Sequence, residues 1–295
     1  MKILITGASG YIGRVVLDKA IMKYGADNIV ALASKKIEEV TTLIHDNYCF
    51  APNFFENNKH GDINTIIHIG AFIPKNSSML NDVERCTSNI INTQKLLGAN
   101  LQHLKKIIYI STTDVYKNEK CIDEQTQTIP LTLYGYSKLY CEKMVEEFAR
   151  VNGLVCQILR IGHVFGPGEE VYQKIIPIAI KKVLSDEVVE IYGDGEAGRT
   201  FVYVDDVAEA VLQSIALEEY VEPINVVGNE HISINKLIEY ISKLSKKNIK
   251  VKYRLSDNTN VNYIFDNSKF RRLLLEDVLS FEEGIAKEFE YMRRL

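Results

Sequence analysis

The sequence predicts an α/β fold, a doubly wound parallel sheet followed by a smaller C-terminal α/β lobe. Three observations predict it. From residue 2 to residue 161, short β-prone apolar runs alternate with helical patterns, which is the signature of βαβ units. A glycine-rich turn at residues 7–13 joins the first run to the first helix. After Gly166-Pro-Gly168 the parallel-strand signal weakens and the elements become shorter. The expected division is residues 1–165 with about 200–227 in a dinucleotide-binding domain, and residues 166–199 and 228–295 in a second lobe.

Bulk properties narrow the function classes. The chain has 295 residues, 46% hydrophobic and 25% charged, which is ordinary for a globule with a sizeable core. A net charge of −4 argues against nucleic acid as a partner. Five cysteines without a Cys-x-x-Cys read as reduced thiols of a cytoplasmic protein, and the six histidines show no metal-ligand spacing. The short apolar run at residues 3–5 is too brief for a signal peptide, and no stretch has the length of a membrane span.

Residues 2–6 read as a buried strand closed by Gly7. Gly7, Gly10 and Gly13 follow at Gly-x-x-Gly-x-x-Gly spacing, and a helical pattern through Val15, Val16 and Ala20 comes next. A strand, a glycine turn and a helix N-terminus make an anion site, because backbone N–H groups and the helix dipole favour negative charge. Gly7, Ser9, Gly10, Tyr11, Ile12 and Gly13 are therefore candidates to bind a dinucleotide pyrophosphate. The second strand, 28–33, ends in Ser34 and Lys35 instead of the acid that commonly binds ribose hydroxyls. Those two residues suit a 2′-phosphate, so the reading is NAD or NADP, with NADP favoured.

Residues 41–62 carry too weak a pattern to place. Residues 65–69 form another strand, and Gly70, Ala71 and Phe72 after it leave room for a flat ring near the backbone. A helix at 82–100 carries Asn89 near its buried stripe, either as a satisfied core amide or as a residue that holds a neighbouring strand open. Strand 106–111 runs into Ser111, Thr112 and Thr113, hydroxyls at the carboxyl end of a strand where α/β sheets bind ligands. Next comes Tyr134-Gly-Tyr-Ser-Lys138 at an apparent helix start. Positions i and i+4 share a helix face, so the Lys138 ammonium would favour the Tyr134 phenolate. A tyrosine titrates near pH ~10, and an adjacent opposite charge lowers a pKa by roughly 1–3 units. The spacing recurs at Tyr116 and Lys120, among polar residues without helical periodicity. Strand 155–161 completes the first half. Helices at 172–184, 207–217 (capped by Asp205 or Asp206), 233–244, 267–276 and 281–294, with strands at 188–192, 223–227 and 250–254, make up the rest.

Jointly these motifs resemble the extended short-chain dehydrogenase/reductase family, in its NAD-dependent epimerase/dehydratase branch. The likeness rests on Gly7 to Gly13, His68 to Ala71, Asn89 with Thr93, Ser111-Thr112 with Val115-Tyr116, and Tyr134 with Lys138. It continues through Leu159-Arg160, Val164 to Gly168, Tyr192 to Gly195 and Arg199 to Asp206. The resemblance implies a Rossmann-type sheet and specific roles. Tyr134 would be the acid/base, Lys138 would lower its pKa and bind the nicotinamide ribose, and Thr112 would orient the substrate. Asn89, Ser111, Ile161, His163 and Val164 would line the cofactor. Thr113, Arg199 and Arg254 would contact a nucleotide-sugar substrate, the arginines at its phosphates. It also implies a homodimer through helices 82–100 and 134–151. The chain departs from the family's pattern in Thr113-Asp114, which counts against sugar dehydration, in Thr200 where Asp is usual, and in a short segment before strand 65–69.

The expected function is epimerisation of a nucleotide-activated sugar through a transient keto intermediate. One alternative is a reductase or dehydrogenase of a keto-sugar nucleotide or another carbonyl substrate, which would use the same residues. The other is a non-catalytic sensor or scaffold, which would need none of Tyr134, Lys138 and Thr112.

Overall fold

The computed structural model describes residues 1–49, 54–57, 60, 62–255 and 262–295. In chain order its elements begin with β1 (Ile3–Thr6), α1 (Tyr11–Tyr24), β2 (Ile29–Ala33), β3 (Thr41–Ile44), α2 (Phe54–Asn57) and β4 (Thr65–His68). They continue with α3 (Val83–Leu97), β5 (Lys106–Thr112), β6 (Cys121–Ile122), α4 (Leu133–Val151), β7 (Val155–Ile161) and β8 (His163–Phe165). Then follow α5 (Ile175–Leu184), β9 (Val189–Tyr192), β10 (Gly198–Tyr203), α6 (Val204–Gln213), β11 (Ile224–Val226) and β12 (His231–Ser233). The chain closes with α7 (Ile234–Ser245), β13 (Val251–Arg254), β14 (Ile264–Phe265), α8 (Ser268–Leu273) and α9 (Phe281–Arg294). Among the described residues no helix is long and apolar enough to cross a membrane.

The chain forms two compact units. The first comprises Met1–Lys117, Gln127–Ile161 and Val207–Ile224. Its seven-stranded sheet has the order β11-β7-β5-β4-β1-β2-β3. Ile3 pairs in parallel with Ile29 on one side and Thr65 on the other, Thr65 with Lys106, and Lys106 with Val155. Strands of this sheet are buried on both faces, which is why they read as continuous apolar runs. Parallel registration brings the carboxyl ends of β1, β4 and β5 to one edge. The strand order reverses at β1, the place where such sheets bind ligands.

The edge strand β3 lies in the segment the sequence left unplaced. Only Leu43 of its four residues is buried, so no alternation marks it. α6 also differs from expectation. It starts at Val204, directly after β10, so Asp205 and Asp206 lie in its first turn and do not cap it. There they face the positive end of the helix dipole, and Asp206 accepts the Leu279 N–H at 2.9 Å.

The second unit comprises Asn118–Thr126, Gly162–Asp206 and Asn225–Leu295. Its three-stranded sheet has the order β12-β10-β8, and two further strand pairs are β13 with β9 and β14 with β6. Its core gathers Phe165, Phe201 and Phe281, with ring centroids 5.1–6.0 Å apart, against apolar residues of α5, α7 and α9. α9 begins with a capping box in which Ser280 and Glu283 satisfy each other's backbone N–H.

Candidate active site

The turn after β1 is built by its glycines. Gly7 has φ +67°, and a Cβ there would lie 2.6 Å from the Gly70 Cα. A Cβ on Gly13 would collide with the Gly7 carbonyl, so α1 packs its first turn directly on the bend. Gly10 donates its N–H to Gly7 O at 2.9 Å and sits at the N-cap of α1. No side chain caps this helix and no acid lies in its first turn. Ser9 and Gly10 are exposed, while Tyr11 and Ile12 are half-buried. A close-packed glycine cradle at a helix start without its own carboxylate fits the pyrophosphate of a dinucleotide.

Ser34 and Lys35 follow β2 and are exposed. The neighbouring ionic contacts are made by Arg14, which bonds Glu39 at 2.5 Å and Asp18 at 3.1 Å. Nothing in this arrangement adds support to NADP over NAD.

The end of β4 is organised by one threonine and one histidine. Thr6 Oγ1 accepts the N–H groups of Ile69 and Gly70 at 3.1 and 2.9 Å and lies 2.7 Å from His68 Nδ1. Thr93 donates its hydroxyl proton to Asn89 O at 2.8 Å and therefore receives the His68 Nε2–H at 3.0 Å. His68 is thus neutral with its proton on Nε2, and burial holds its pKa down to about 3. The Asn89 amide closes on Phe72, accepting its N–H at 2.6 Å and donating to its carbonyl at 3.2 Å. It also donates to Ser137 Oγ at 3.2 Å. Of the two roles the sequence left open for Asn89, the geometry shows a satisfied amide that ties the Phe72 backbone to Ser137 of α4. Sequence reasoning missed Tyr48. Its buried phenol oxygen covers the Cβ direction of Gly70, and burial pushes its pKa up to about 12. Ala71 and Phe72 are half-buried.

The start of α4 is tied down group by group. Leu133 N–H donates to Asn81 Oδ1 at 2.9 Å, Tyr134 N–H to Leu80 O at 3.0 Å, and Gly135 N–H to Thr132 Oγ1 at 3.1 Å. A Cβ on Gly135 would lie 2.5 Å from Asp114 O, so α4 presses its first turn against the chain leaving β5. That contact brings Tyr134 to the end of β5, where Thr112 closes the strand and Thr113 follows it, all three buried. Thr112 Oγ1 accepts the Asp114 N–H at 3.2 Å. Lys138 lies one turn after Tyr134, is 3% exposed, and donates to Ile110 O at 2.6 Å with its ammonium 4.4 Å from the Tyr109 ring. Burial lowers its pKa to about 8. The second Tyr-x-x-x-Lys is not helical, and Tyr116 is buried there against Arg160.

Behind this pair lies a buried ionic group that the sequence did not mark as part of the site. Ser111 donates to Glu142 Oε1 at 2.5 Å, and Arg160 bonds both Glu142 oxygens at 3.1 and 2.8 Å. The available signal was an acid four residues after Lys138 on the buried stripe of α4.

Ile161 ends β7 in the first unit. His163, exposed, and Val164, buried, belong to β8 in the second. Arg199 is exposed on β10, in register with Ile232 of β12. Arg254 ends β13 and bonds Glu190 of β9 at 2.5 and 3.1 Å.

Residues 3–228 match the NAD-dependent epimerase/dehydratase family. An uncharacterised UDP-glucose epimerase of Bacillus subtilis is 28% identical over 100% of this chain and 99% of its own length. A trifunctional UDP-glucose 4,6-dehydratase, 3,5-epimerase and reductase of Arabidopsis thaliana is also 28% identical over 98% of this chain, which spans only 46% of that longer protein. Among solved structures, a UDP-glucuronic acid 4-epimerase of Bacillus cereus, in complex with UDP-glucuronic acid and NAD, superposes with a TM-score of 0.85. It is 26% identical, and the match covers 100% of this chain and 99% of that one. The glycine cradle, the Tyr134–Lys138 turn and these matches lead to one assignment: the chain belongs to the NAD-dependent epimerase/dehydratase family.

Proposed function

We propose that the protein is an NAD-dependent epimerase of a nucleotide-activated sugar, with Tyr134, Lys138 and Thr112 as its reacting residues. The observation that carries this reading is the buried Tyr134–Lys138 turn pressed against the end of β5. NAD held here would supply the hydride acceptor for oxidation of the sugar carbon and the hydride donor for its re-reduction from the opposite face. Tyr134 removes the hydroxyl proton as the carbonyl forms and gives it back as the carbonyl is reduced, so protons balance over the cycle. The Lys138 ammonium favours the phenolate, and Thr112 orients the hydroxyl. Gly7, Ser9, Gly10, Tyr11, Ile12 and Gly13 would hold the pyrophosphate, with Gly70, Ala71, Phe72, Ser111, Ile161, His163 and Val164 along the rest of the cofactor. Asn89 acts through Phe72, whose backbone it fixes.

Arg199 and Arg254, with Thr113, are the proposed substrate contacts. A guanidinium fork matches phosphate oxygens. The Arg254–Glu190 pair is exposed, and exposed pairs contribute little, so exchanging the carboxylate for a phosphate costs little. Five free cysteines, two exposed and three buried, support a reducing compartment, the cytoplasm.

We further propose a homodimer through α3 and α4. Between these helices runs an apolar groove of about 430 Å³ lined by Val83, Ile90, Leu133, Tyr136 and Tyr140. Val83 and Tyr140 are 68% and 58% exposed, an apolar surface of the kind that marks association sites.

Tyr134→Phe tests the central reading. Turnover of UDP-hexoses and UDP-hexuronic acids should fall by about 10²–10⁴-fold. Tyr134 is proposed to line the cofactor as well, and NAD affinity, measured by calorimetry, should stay within about two-fold, because phenylalanine keeps the ring and removes only the oxygen that moves the proton. A variant that keeps native turnover overturns the reading.

A further inference from the structure

We propose that the buried Glu142–Arg160 pair is a positioning unit for proton transfer, holding the Ser111–Thr112 strand end and sustaining the charge on Lys138. The proposal rests on the assignment of Tyr134 and Lys138 above.

Glu142 lies on α4, four residues after Lys138, and is fully buried. That spacing puts the carboxylate and the ammonium on one face of the helix. Each Glu142 oxygen is used. Oε1 receives the Ser111 hydroxyl at 2.5 Å and the Arg160 Nε–H at 3.1 Å, and Oε2 receives an Arg160 Nη2–H at 2.8 Å. Arg160 is in register with Ser111 on the neighbouring strand, so the pair joins β5, β7 and α4 at the level of the reacting residues. Its remaining nitrogen donates to Tyr116 Oη at 2.9 Å, and its guanidinium lies 4.8 Å from that ring. Lys138 in turn donates to Ile110 O, the carbonyl immediately before Ser111. One cluster therefore fixes the strand end from both sides.

Stability does not account for such a pair. Taking two charges out of water costs about as much as their attraction returns, and apolar residues of equal volume are often as stable. An electrostatic role does account for it. Lys138 meets the Tyr109 ring and Ile110 O from β5 and feels the fields of Cys141 and Glu142 on its own helix and of neutral His68 on β4, with Tyr134 one turn earlier on the same helix face. Burial works against its charge, and Cys141 and then Glu142 work for it. Arg160 tempers that carboxylate and pins it in place.

The two partners then have opposite signs. Glu142→Gln leaves an unbalanced cation near Lys138 and should move the alkaline limb of kcat/KM to lower pH by roughly one unit. Arg160→Met leaves an unbalanced carboxylate and should move the limb to higher pH by a similar amount. Glu142→Asp and Arg160→Lys keep charge but lose geometry, so they should lower kcat with the limb in place. A purely structural role predicts lower rates with no movement of the limb in any variant.

The experiment is a set of pH–rate profiles for these four variants, with fold checked by thermal melting. Charge-removing variants that fold but leave the limb fixed, or move it in the same direction, overturn the proposal. If either of those two does not fold, Glu142→Leu/Arg160→Met leaves no unbalanced charge. The double variant should fold, keep its limb near the native pH because the two opposite effects cancel, and still lose at least about ten-fold in kcat at neutral pH because Ser111 and the strand end lose their partner. A native kcat for that variant overturns the proposal as well. Tyr134→Phe separates the two readings. Native turnover in that variant removes the acid/base assignment itself, whereas loss of turnover together with a fixed limb in the charge variants removes only the positioning unit.

Discussion

His68 shows how one buried side chain links stability to pH. It lies between Thr6 and Thr93, neutral, with its pKa lowered from 6.5 to about 3 by burial. The unfolded chain binds a proton that the folded chain refuses throughout the window between those values. Stability from this group is therefore full above pH 6.5 and is lost as pH falls toward 3, by at most about 1.4 kcal/mol per pH unit. Urea unfolding from pH 7 to pH 4 should show stability falling with pH. His68→Gln should flatten that slope, and an unchanged slope would rule out His68 as its source. Asn89 has a different consequence. Removing its amide leaves the Phe72 backbone groups without these partners, and Asn89→Ala should cost roughly 1–3 kcal/mol in the same assay.

At the scale of elements, the start of α4 is the critical join. Helix ends leave N–H groups without intrahelical partners, and here residues 133, 134 and 135 each find a named acceptor. Two of those acceptors come from residues 80 and 81, just before α3, so α3 and α4 are registered to each other through the loop that precedes α3. Thr132→Ala removes one cap bond and should cost about 1 kcal/mol by chemical denaturation. Gly135→Ala should cost more, about 1–3 kcal/mol, because its Cβ would meet the Asp114 carbonyl at 2.5 Å and the Pro130 Cβ at 2.9 Å. It should also lower kcat by more than its effect on stability suggests, since the displaced turn carries Tyr134. Equal loss in both variants would mean that the close approach has no special role.

At the scale of the whole molecule, the parallel sheet gathers the chemistry at one edge. Thr6, His68 and Thr112 end three adjacent strands, and the glycine turn, Gly70 and the α4 turn follow from those ends. The outer faces of α3 and α4 in the same unit carry the groove proposed to seat a second copy. Tyr140→Arg places a charge in it and should shift the sedimentation mass from that of two chains to that of one, 33.5 kDa. A native protein that sediments as a monomer removes the dimer proposal and leaves the site chemistry untouched.

The sequence by itself determined the fold class, the glycine turn and the placement of Tyr134 and Lys138 on one helical turn. These signals are local. Buried parallel strands read as apolar runs, glycines mark a bend that tolerates no Cβ, and a four-residue spacing is a helical neighbourhood. It did not determine β3, whose one inward residue leaves no period to read. It also gave no partners for Asn89, no place for Tyr48, and no sign that Glu142 and Arg160 meet. Those contacts join residues far apart in the chain, such as Asn89 with Ser137, 48 positions on, and Tyr116 with Arg160, 44 positions on. A polar residue in an apolar stripe announces that a partner exists. Only the packing of strand against helix decides which one, because hydrogen bonds and buried charges are satisfied by position in space and not by position in sequence.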